Sequence, residues 1–365
     1  MAKICLKNIK YVYSSKNKKD TEALKGIDLV FSDGCAGALL GPSGCGKTTL
    51  LNLISGLLKP TEGEIFFNDT NVTHLPPEER NIAQIFQFPV VYDSIDVYGN
   101  LAFPLKNRKL FGNEIKERVT EIAKIIGLEK FLHENPRKLN AGQRQLLALG
   151  RGLVRKDTAI ILLDEPMTQL DLHQKWFLRK ELKKIQQRLK VTMIYVTHDQ
   201  HEALSFAEKI VVMKDGNVVQ EGTPETLYDY PKTPFVGWFI GTPGMNFFNF
   251  FLKDNILDFK DFKINMPQNI KEILKGRSGM FQLGIRPEYV RYSLEETKEG
   301  YFLAKLTSIE NMGYFKILTF KLGDTIIKAK VLREIEINEG QETWISITDD
   351  EKNLRIYENG VLISN

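Results

Sequence analysis

Cysteine is scarce in this chain of 365 residues. Its three cysteines, Cys5, Cys35 and Cys45, show neither a paired nor a Cys-x-x-Cys spacing, which argues against a disulfide framework and against a zinc site. This cysteine usage fits a reducing compartment. The length suits two domains, at least one of them with a sizeable hydrophobic core.

Long apolar runs are also missing. The longest, AIILL at 159–163, is followed at once by Asp164 and Glu165 and is typical of a buried strand, whereas a membrane-spanning helix needs about 20 apolar residues. The beginning of the chain, MAKICLKNIKYVYSS, lacks the basic and then apolar order of a signal peptide. We therefore expect any work at a membrane to go through other chains.

Neither sign of charge is in clear excess. The 50 basic and 46 acidic side chains give a formal net charge of +4, which argues against a dedicated nucleic-acid-binding protein with a basic stripe. With 42% hydrophobic and 26% charged residues, the composition is that of an ordinary globular protein.

The chain changes its pattern about two thirds of the way along. Up to residue 222, apolar runs alternate with helical stretches, which predicts a mainly parallel sheet flanked by helices. The clearest predicted strands are 160–163 and 192–196, and the clearest helices are 115–126 and 174–189. Short strands separated by turns then predict an all-β barrel or sandwich: FQLGIRPEYV, YFLAKLTSIEN, YFKILTFKLGD, TIIKAKVL, ETWISITD and LRIYENGVLI. We place the domain boundary between residues 235 and 236.

A phosphate-binding loop is the strongest motif. Residues 41–49, GPSGCGKTT, fit G-x-x-x-x-G-K-[ST] in full, follow an apolar strand and open a helix predicted at 50–57. Backbone N–H groups of such a loop surround phosphates, with the helix N-terminus adding a favourable dipole. Lys47 is expected to reach the β- and γ-phosphates of a nucleotide, and the Thr48 hydroxyl to bind Mg²⁺. The predicted nucleotide-binding residues here are Gly41, Pro42, Ser43, Gly44, Cys45, Gly46, Lys47, Thr48 and Thr49.

Polar side chains follow two of the predicted strands. Asp164 ends an apolar strand and is expected to bind Mg²⁺, while Glu165 is placed to polarise an attacking water as general base. His198 follows the next strand and is expected to bond the γ-phosphate and hold that water in line. The alternatives are an acidic pair that caps a helix before Pro166, and a structural histidine.

Together these residues resemble the ATP-binding subunits of ABC importers of the maltose/multiple-sugar type, over essentially the whole chain. The resemblance implies an α/β P-loop ABC ATPase domain, with a RecA-like core and a helical subdomain at about 88–155. A small OB-like regulatory β-domain follows, and FVGWFIGTPGMNFF resembles the linker before it. The resemblance further implies ATP and Mg²⁺ as cofactors and a dimer of ATPase subunits.

Several site residues rest on the resemblance. Gln87 in IAQIFQ matches the Q-loop glutamine, which senses Mg²⁺ and γ-phosphate and contacts the membrane partner. Tyr13 matches the aromatic that stacks on adenine, with Tyr11 as the competing candidate. Asp171 lies in the D-loop. GIRPEYV is similar to the Arg-Pro-Glu strand of the regulatory domain, although Arg286 and Glu288 also fit an ordinary surface ion pair.

The ABC signature motif departs from its usual form. Where the family has Leu-Ser-Gly-Gly-Gln, pressed onto the ATP of the opposite subunit, this chain has LNAGQ at 139–143. Asn140, Gly142 and Gln143 are the nucleotide-binding residues that the resemblance predicts here. Asn140 can cap a helix and donate from its amide, but it is longer than serine, and Ala141 adds a methyl group and resists positive φ.

Two further departures lie close to the motif. Glu134 stands where relatives often have a basic residue, and Leu146 replaces a common arginine. The phosphate-binding half is complete and the half offered to a partner is altered, so we favour a heterodimer with a second ATPase whose signature is intact. A homodimer that tolerates Asn140 and Ala141 is the alternative.

The predicted function is ATP hydrolysis that energises solute import, of a sugar, polyol or glycerophosphate-type solute. The expected partners are transmembrane permease subunits and, indirectly, an extracytoplasmic solute-binding protein, which places the chain at the cytoplasmic face of the membrane. The alternatives are a non-transport ABC ATPase and an ATP-binding regulatory protein. A single phosphate loop and the short interval to the signature argue against translation and DNA-repair types, and Glu165 with His198 argues against loss of hydrolysis.

Overall fold

The computed structural model describes residues 2–14, 20–253, 255–295, 301–348 and 351–363. They form two compact units, Met1–Pro224 and Glu225–Asn365. The first unit contains β1 (Ile4–Tyr13), β2 (Thr21–Phe31), β3 (Ala36–Leu40), α1 (Lys47–Ser55), β4 (Glu62–Phe67), β5 (Thr70–Asn71), β6 (Ile82–Ile85), α2 (Val97–Asn107), α3 (Asn113–Ile125), α4 (Ala141–Leu153), β7 (Ile160–Asp164), α5 (Leu172–Leu189), β8 (Thr192–Thr197), α6 (Gln200–Phe206), β9 (Lys209–Lys214) and β10 (Asn217–Gly222).

A six-stranded sheet forms the centre of the first unit. Its order is β10-β9-β3-β8-β7-β6, and β9, β3, β8, β7 and β6 run parallel. The residues of β3 and β8 are all buried, which is why these strands have continuous apolar sequences rather than alternating ones. The predicted parallel sheet is confirmed, and the carboxyl ends of β3, β8, β7 and β6 lie at one edge.

The predicted helices form close to their expected positions. α3 begins two residues earlier than the sequence predicts because Gly112, with φ 62°, turns the chain into its first turn. α5 also begins earlier, because the Asp171 side chain accepts a hydrogen bond from the Gln174 backbone N–H at 2.8 Å and caps it. α2, α3 and α4 fall between β6 and β7, within the stretch 88–155 expected to be a helical subdomain.

The second unit is built mainly of antiparallel strands, which confirms the predicted α/β unit followed by a β-domain. The elements of this unit are α7 (Pro224–Asp229), α8 (Pro234–Phe239), β11 (Asn246–Lys253), β12 (Ile256–Phe259), β13 (Lys263–Asn265), α9 (Gln268–Ile273), β14 (Met280–Ile285), β15 (Arg291–Ser293), β16 (Phe302–Asn311), β17 (Phe315–Leu322), β18 (Thr325–Leu332), β19 (Glu342–Ser346), β20 (Arg355–Glu358) and β21 (Val361–Leu362). One sheet has the order β13-β12-β11-β14-β20-β21 and the other β15-β19-β16-β17-β18. Both sheets contribute to one apolar core.

The six stretches expected to be strands in this unit all contain strands, whereas β11, β12 and β13 lie in a segment for which no strand was predicted. β11 has the alternating burial of a half-buried strand. Its phenylalanines contact partners from β12 and β14, so long-range packing rather than local pattern identifies it. Within the described residues the unit thus has two sheets, a larger arrangement than a single five-stranded OB barrel.

The division between the units comes earlier than the expected boundary at 235/236. Several side chains of the second unit hold the segment in between, among them Arg355 and Tyr357, which donate to the carbonyls of Asp229 and Pro231, and Arg286, which is 2% exposed. Its guanidinium donates to the carbonyls of Tyr228 (2.6 Å) and Gly237 (2.9 Å) and to that of Ile240, and it lies 4.0 Å from the Tyr228 ring centre. These contacts fix the segment after Pro224 to the second unit. The alternative of an ordinary surface ion pair between Arg286 and Glu288 is wrong, because Arg286 is buried and Glu288 accepts from the Tyr228 hydroxyl.

Replacing Arg286 tests how much its contacts stabilise the second unit. Arg286→Met leaves several buried carbonyls without donors, so we expect the free energy of unfolding of the second unit to fall by about 3–5 kcal/mol. Arg277→Met is the control, since Arg277 is 41% exposed and pairs only with Glu358 among its described contacts; about 1 kcal/mol or less is expected. Urea unfolding in a Trp176→Phe background, where Trp238 and Trp344 report, measures both. Equal losses would contradict the assignment.

Candidate active site

The loop between β3 and α1 is shaped by its glycines. Gly44 and Gly46 have φ of 78° and 104°, a region that favours glycine. A Cβ on Gly41 would lie 2.3 Å from the Met213 carbonyl oxygen and 2.7 Å from Cys45 Sγ, so a side chain does not fit there. The loop leads directly into the N-terminus of α1 at Lys47, an arrangement suited to binding phosphate.

Lys47 lies across this loop and is 5% exposed. Its ammonium donates to the carbonyl oxygens of Gly41 at 2.8 Å and Pro42 at 3.0 Å. Both acceptors are neutral, and hydrogen bonds to an ionised acceptor are about twice as strong. A phosphate oxygen near the loop would therefore compete well for this ammonium.

A cleft of about 480 Å³ opens beside the loop. Tyr13, which is 45% exposed, lines it, and its hydroxyl lies 3.1 Å from Thr49 Oγ1. Tyr11 packs edge-on against Tyr13, with ring centres 4.8 Å apart, and faces the hydrophobic core instead. The geometry favours Tyr13 over Tyr11 as the aromatic of the site. From the predicted loop, Ser43, Gly44, Gly46, Lys47, Thr48 and Thr49 also line the cleft.

Other cleft residues were not expected from the sequence. Part of β2 lines the cleft, and so does the turn Asp215-Gly216 between β9 and β10. The Gly216 N–H donates to the Cys45 carbonyl at 3.2 Å, and the Gly216 carbonyl accepts from the Lys25 N–H at 3.0 Å. An Asp-Gly pair between two apolar runs is a strong hairpin signal, but its proximity to the phosphate loop depends on the pairing of β9 with β3. The β2 residues are Thr21, Glu22, Ala23 and Lys25.

Asp164 and Thr48 meet at the end of β7. The Thr48 hydroxyl donates to Asp164 Oδ1 at 3.2 Å. Burial raises the pKa of Asp164, and the hydrogen bond from Thr48 partly opposes this rise. A hydroxyl and a carboxylate are hard oxygen donors of the kind that suit Mg²⁺ when phosphate supplies further oxygens. Among the described residues no group of three or more His, Cys, Asp or Glu side chains forms a metal site by itself.

Glu165 has a strained backbone with φ of 44°. Its N–H donates to the Val196 carbonyl at 3.0 Å, which ties the end of β7 to β8. Glu165 Oε2 lies 3.2 Å from His198 Nδ1 and accepts from the Thr168 hydroxyl, also at 3.2 Å. The structure therefore brings Glu165 and His198 together, as the sequence predicts, with Thr168 as an unexpected third member.

The remaining predicted residues lie outside the residues that line the cleft. The Gln87 carbonyl accepts from Gln145 Nε2 at 3.1 Å, which ties the segment after β6 to α4. Asn140 and Gln143 form a capping box: Asn140 Oδ1 accepts from the Gln143 N–H at 2.8 Å, and Gln143 Oε1 accepts from the Asn140 N–H at 3.0 Å. Gly142 is buried in the first turn of α4. Asp171 caps α5.

The two departures near the motif have local explanations. Glu134 Oε2 lies 2.6 Å from Lys138 Nζ, so its charge is paired within the chain. This pairing weakens the expected repulsion of a triphosphate. Leu146 is 2% exposed and belongs to the apolar interior, so the residue at this position packs rather than presenting a charge.

The known proteins that this chain is similar to are ATP-binding proteins of ABC transporters. A family model described as ABC transporter matches residues 24–168. The oligosaccharides import ATP-binding protein MsmX of Bacillus subtilis (strain 168) is 38% identical over 346 residues, covering 93% of this chain and 94% of that protein. The trehalose/maltose import ATP-binding protein MalK of Thermococcus litoralis is 38% identical over 355 residues, with the same coverage. The sn-glycerol-3-phosphate import ATP-binding protein UgpC of Pectobacterium atrosepticum is 36% identical and covers 94% and 95%.

Solved structures resemble the larger part of the chain. cbiO1 from Clostridium perfringens, part of the ABC transporter complex cbiONQ, has a TM-score of 0.57 at 30% identity and covers 61% of this chain and 89% of its own. The dimeric post-hydrolysis state of the ATP-binding cassette MJ0796, bound to ADP and Pi, has a TM-score of 0.53 at 32% identity and covers 60% and 98%.

The raised pKa of Asp164 predicts an effect on stability. Because that pKa is higher in the folded than in the unfolded chain, ionisation destabilises the fold, and this penalty is present above the folded pKa and disappears as the pH falls to about 3.9. Asp164→Asn keeps an acceptor for Thr48, so we expect it to raise the metal-free Tm by a few degrees at about pH 7.5 and progressively less towards about pH 4.5. Asp69→Asn, in an exposed turn, is the control. A lower Tm for Asp164→Asn would contradict the burial argument.

Proposed function

This chain belongs to the ATP-binding proteins of ABC transporters, of the sugar-import type, and we propose that it drives solute import with the site described above. It is an ATPase whose hydrolysis is coupled to transport. The relatives cover its β-domain as well as its ATPase unit, which supports an importer over a non-transport ABC ATPase or a regulatory protein. A sugar, polyol or glycerophosphate is the proposed class of solute.

One observation supports this function above all. The phosphate loop after β3, His198 after β8, and Asp164 with Glu165 at the end of β7 lie at the carboxyl edge of three adjacent parallel strands. Ligands of such sheets bind outside that edge. The proposal is that this edge holds the triphosphate of ATP, with the Tyr13 ring against the adenine.

Each side chain has a proposed role in hydrolysis. Lys47 would leave its two carbonyl partners to bind the β- and γ-phosphates. Thr48 and Asp164 would hold Mg²⁺, which would neutralise charge on the phosphates. Glu165 polarises the attacking water, and His198, next to it, bonds the γ-phosphate and keeps the water in line. Gln87 completes the site from the segment after β6.

The altered signature bears on the partner. ABC cassettes dimerise, as MJ0796 does, and residues 140–143 would then face the nucleotide of the other subunit. The Asn140 side-chain oxygen is engaged by the Gln143 N–H, which leaves its amide group as the donor for phosphate. Ala141 is exposed and places a methyl group at that surface. We therefore propose a second ATPase subunit, with a heterodimer favoured.

The membrane partners follow from the same family. Within the described residues no helix is long and apolar enough to cross a membrane. We propose that transmembrane permease subunits hold the chain at the cytoplasmic face, and that an extracytoplasmic solute-binding protein acts through those permeases.

ATP turnover of the full chain alone tests the signature. Asn140→Ser with Ala141→Gly is expected to raise turnover by about tenfold or more, because a serine hydroxyl and an unobstructed backbone would both reach phosphate. The single substitutions separate the hydroxyl from the methyl group. Strong turnover by the unchanged chain, with no gain from the substitutions, would mean that a homodimer suffices and would end the heterodimer proposal.

Glu165→Gln tests the proposed chemistry. In whichever assembly the unchanged chain hydrolyses ATP, we expect turnover to fall by about 100-fold or more while ATP affinity stays the same, because only the general base is lost. Nucleotide binding and phosphate release are measured side by side. Glu62→Gln, an exposed acid paired with Lys10, is the control. Unaffected turnover in Glu165→Gln would remove the general-base role.

A further inference from the structure

A buried carboxylate lies directly behind the proposed catalytic edge. Glu202, in α6, is 4% exposed. Its Oε2 accepts hydrogen bonds from the Tyr195 hydroxyl at 2.8 Å and from the Thr197 hydroxyl at 2.7 Å, and its Oε1 lies 3.1 Å from Lys175 Nζ. Nothing in the proposed hydrolysis uses this group. A buried carboxylate destabilises a fold unless donors pair with its oxygens, and here three side chains do so. What such a paired, charged group does at this buried place requires an explanation.

The contact with Thr197, together with a further hydrogen bond of that hydroxyl, fixes the backbone on both sides of His198. The Thr197 hydroxyl donates to Glu202 and accepts from the Asp199 N–H at 3.0 Å. The Asp199 carboxylate in turn accepts from the His201 N–H at 2.8 Å and caps α6. His198 is therefore held between two residues that both belong to the Glu202 network, although its own side chain is half exposed.

The third contact reaches the helix that follows the D-loop. Lys175 lies in the first turn of α5, and its N–H donates to the carbonyl of Asp171, the N-cap residue, at 2.8 Å. A shift of Asp171 along the axis of α5 would carry Lys175 with it. Since Lys175 binds Glu202, such a shift would act on the residues that hold His198.

Ordinary packing does not require this arrangement. Apolar side chains of similar volume often replace a buried charged network at no cost in stability. Here the carboxylate, in α6, instead joins β8 to α5 and α6, the two helices that follow the carboxyl ends of β7 and β8. Burial keeps the pKa of Tyr195 well above its usual value, so Tyr195 remains a donor to Glu202.

We propose that Glu202 is a positioning residue for His198, and that through Lys175 it couples the place of His198 to the position of the D-loop helix. The inference rests on the proposed role of His198 in hydrolysis. Glu202 itself touches neither nucleotide nor water in this assignment. In this proposal Glu202 fixes the position of His198 relative to the γ-phosphate. Through Lys175, that position depends on the position of the D-loop.

The test is a split between kcat and KM in the full chain, measured in the assembly that hydrolyses ATP. Glu202→Gln has the same shape but lacks the charge that Lys175 and the two hydroxyls share. We expect kcat to fall by about 10- to 100-fold, as for small misplacements of reacting groups, with KM for ATP within about twofold of the unchanged chain. Lys175→Met should lower kcat by a smaller factor. Lys175→Arg keeps the positive charge and should therefore retain most of the kcat of the unchanged chain.

Lys183→Met is the matched control. Lys183 also lies in α5 and also reaches α6, where its Nζ donates to the Ser205 carbonyl at 2.9 Å, but it does not contact Glu202. If loss of any bridge between α5 and α6 lowers kcat, Lys183→Met will do so as strongly as Lys175→Met, and the inference is overturned. If Glu202→Gln fails to fold, this pair of lysine variants still decides the question.

Combination with His198→Gln separates positioning from general structure. If Glu202 acts through His198, Glu202→Gln causes no further loss of rate in a His198→Gln background, whereas an independent role would slow both backgrounds by the same factor. Full turnover of His198→Gln would instead end the proposed role of His198. If His198→Gln turns over slowly while Glu202→Gln turns over at the full rate, only the positioning role of Glu202 is excluded.

A readout that needs no turnover completes the design. The imidazole resonances of His198 are assigned by their loss in His198→Gln. They should shift in Glu202→Gln and Lys175→Met and stay in place in Lys183→Met. Unchanged resonances in all three variants would overturn the inference.

Discussion

The parallel pairing of β3, β8 and β7 is the constraint on which the rest of this site depends. Parallel strands bring their carboxyl ends to one edge, so three segments distant in sequence, the phosphate loop, residues 164–165 and His198, meet without any direct connection. These strands are apolar because both faces of the sheet are buried. The polar residues that follow the carboxyl ends of these strands form the candidate site.

Strain and neutral hydrogen bonds together keep this edge ready for a charged ligand. Glu165 occupies a backbone conformation that L-residues rarely adopt, and its N–H bond to Val196 and side-chain contacts to His198 and Thr168 hold it there. The Lys47 ammonium donates to the carbonyls of Gly41 and Pro42 and lies 3.8 Å from Cys45 Sγ, and these acceptors are uncharged. A triphosphate would offer Lys47 ionised acceptors, which form stronger hydrogen bonds than neutral ones, and the fold already holds the strained backbone of Glu165 in place.

The features that could be predicted from the sequence are those that depend on neighbouring residues. A phosphate loop needs glycines at fixed offsets, and a buried parallel strand needs an unbroken apolar run, so both were predictable. The cleft position of Asp215 and the contacts of Arg286 were not predictable, because each depends on partners far along the chain. The contacts of Glu202 were not predictable either, because they depend on how α6 packs against β8 and α5. β11 was missed for the same reason, since its aromatic residues are explained only by β12 and β14.

The capping box at Asn140 shows why an altered motif need not be a damaged helix. Asn140 and Gln143 satisfy each other's backbone N–H groups, so α4 begins as well as it would with serine. Whatever Asn140 changes is therefore confined to the surface that a second subunit's nucleotide would meet. Glu134, paired with Lys138, adds little charge to that surface. The alteration then consists of the reach of Asn140 and of one methyl group on Ala141. In the proposed heterodimer a partner with an intact signature would complete the site on this chain's own phosphate loop, and the effect of the alteration would be limited to the partner's nucleotide.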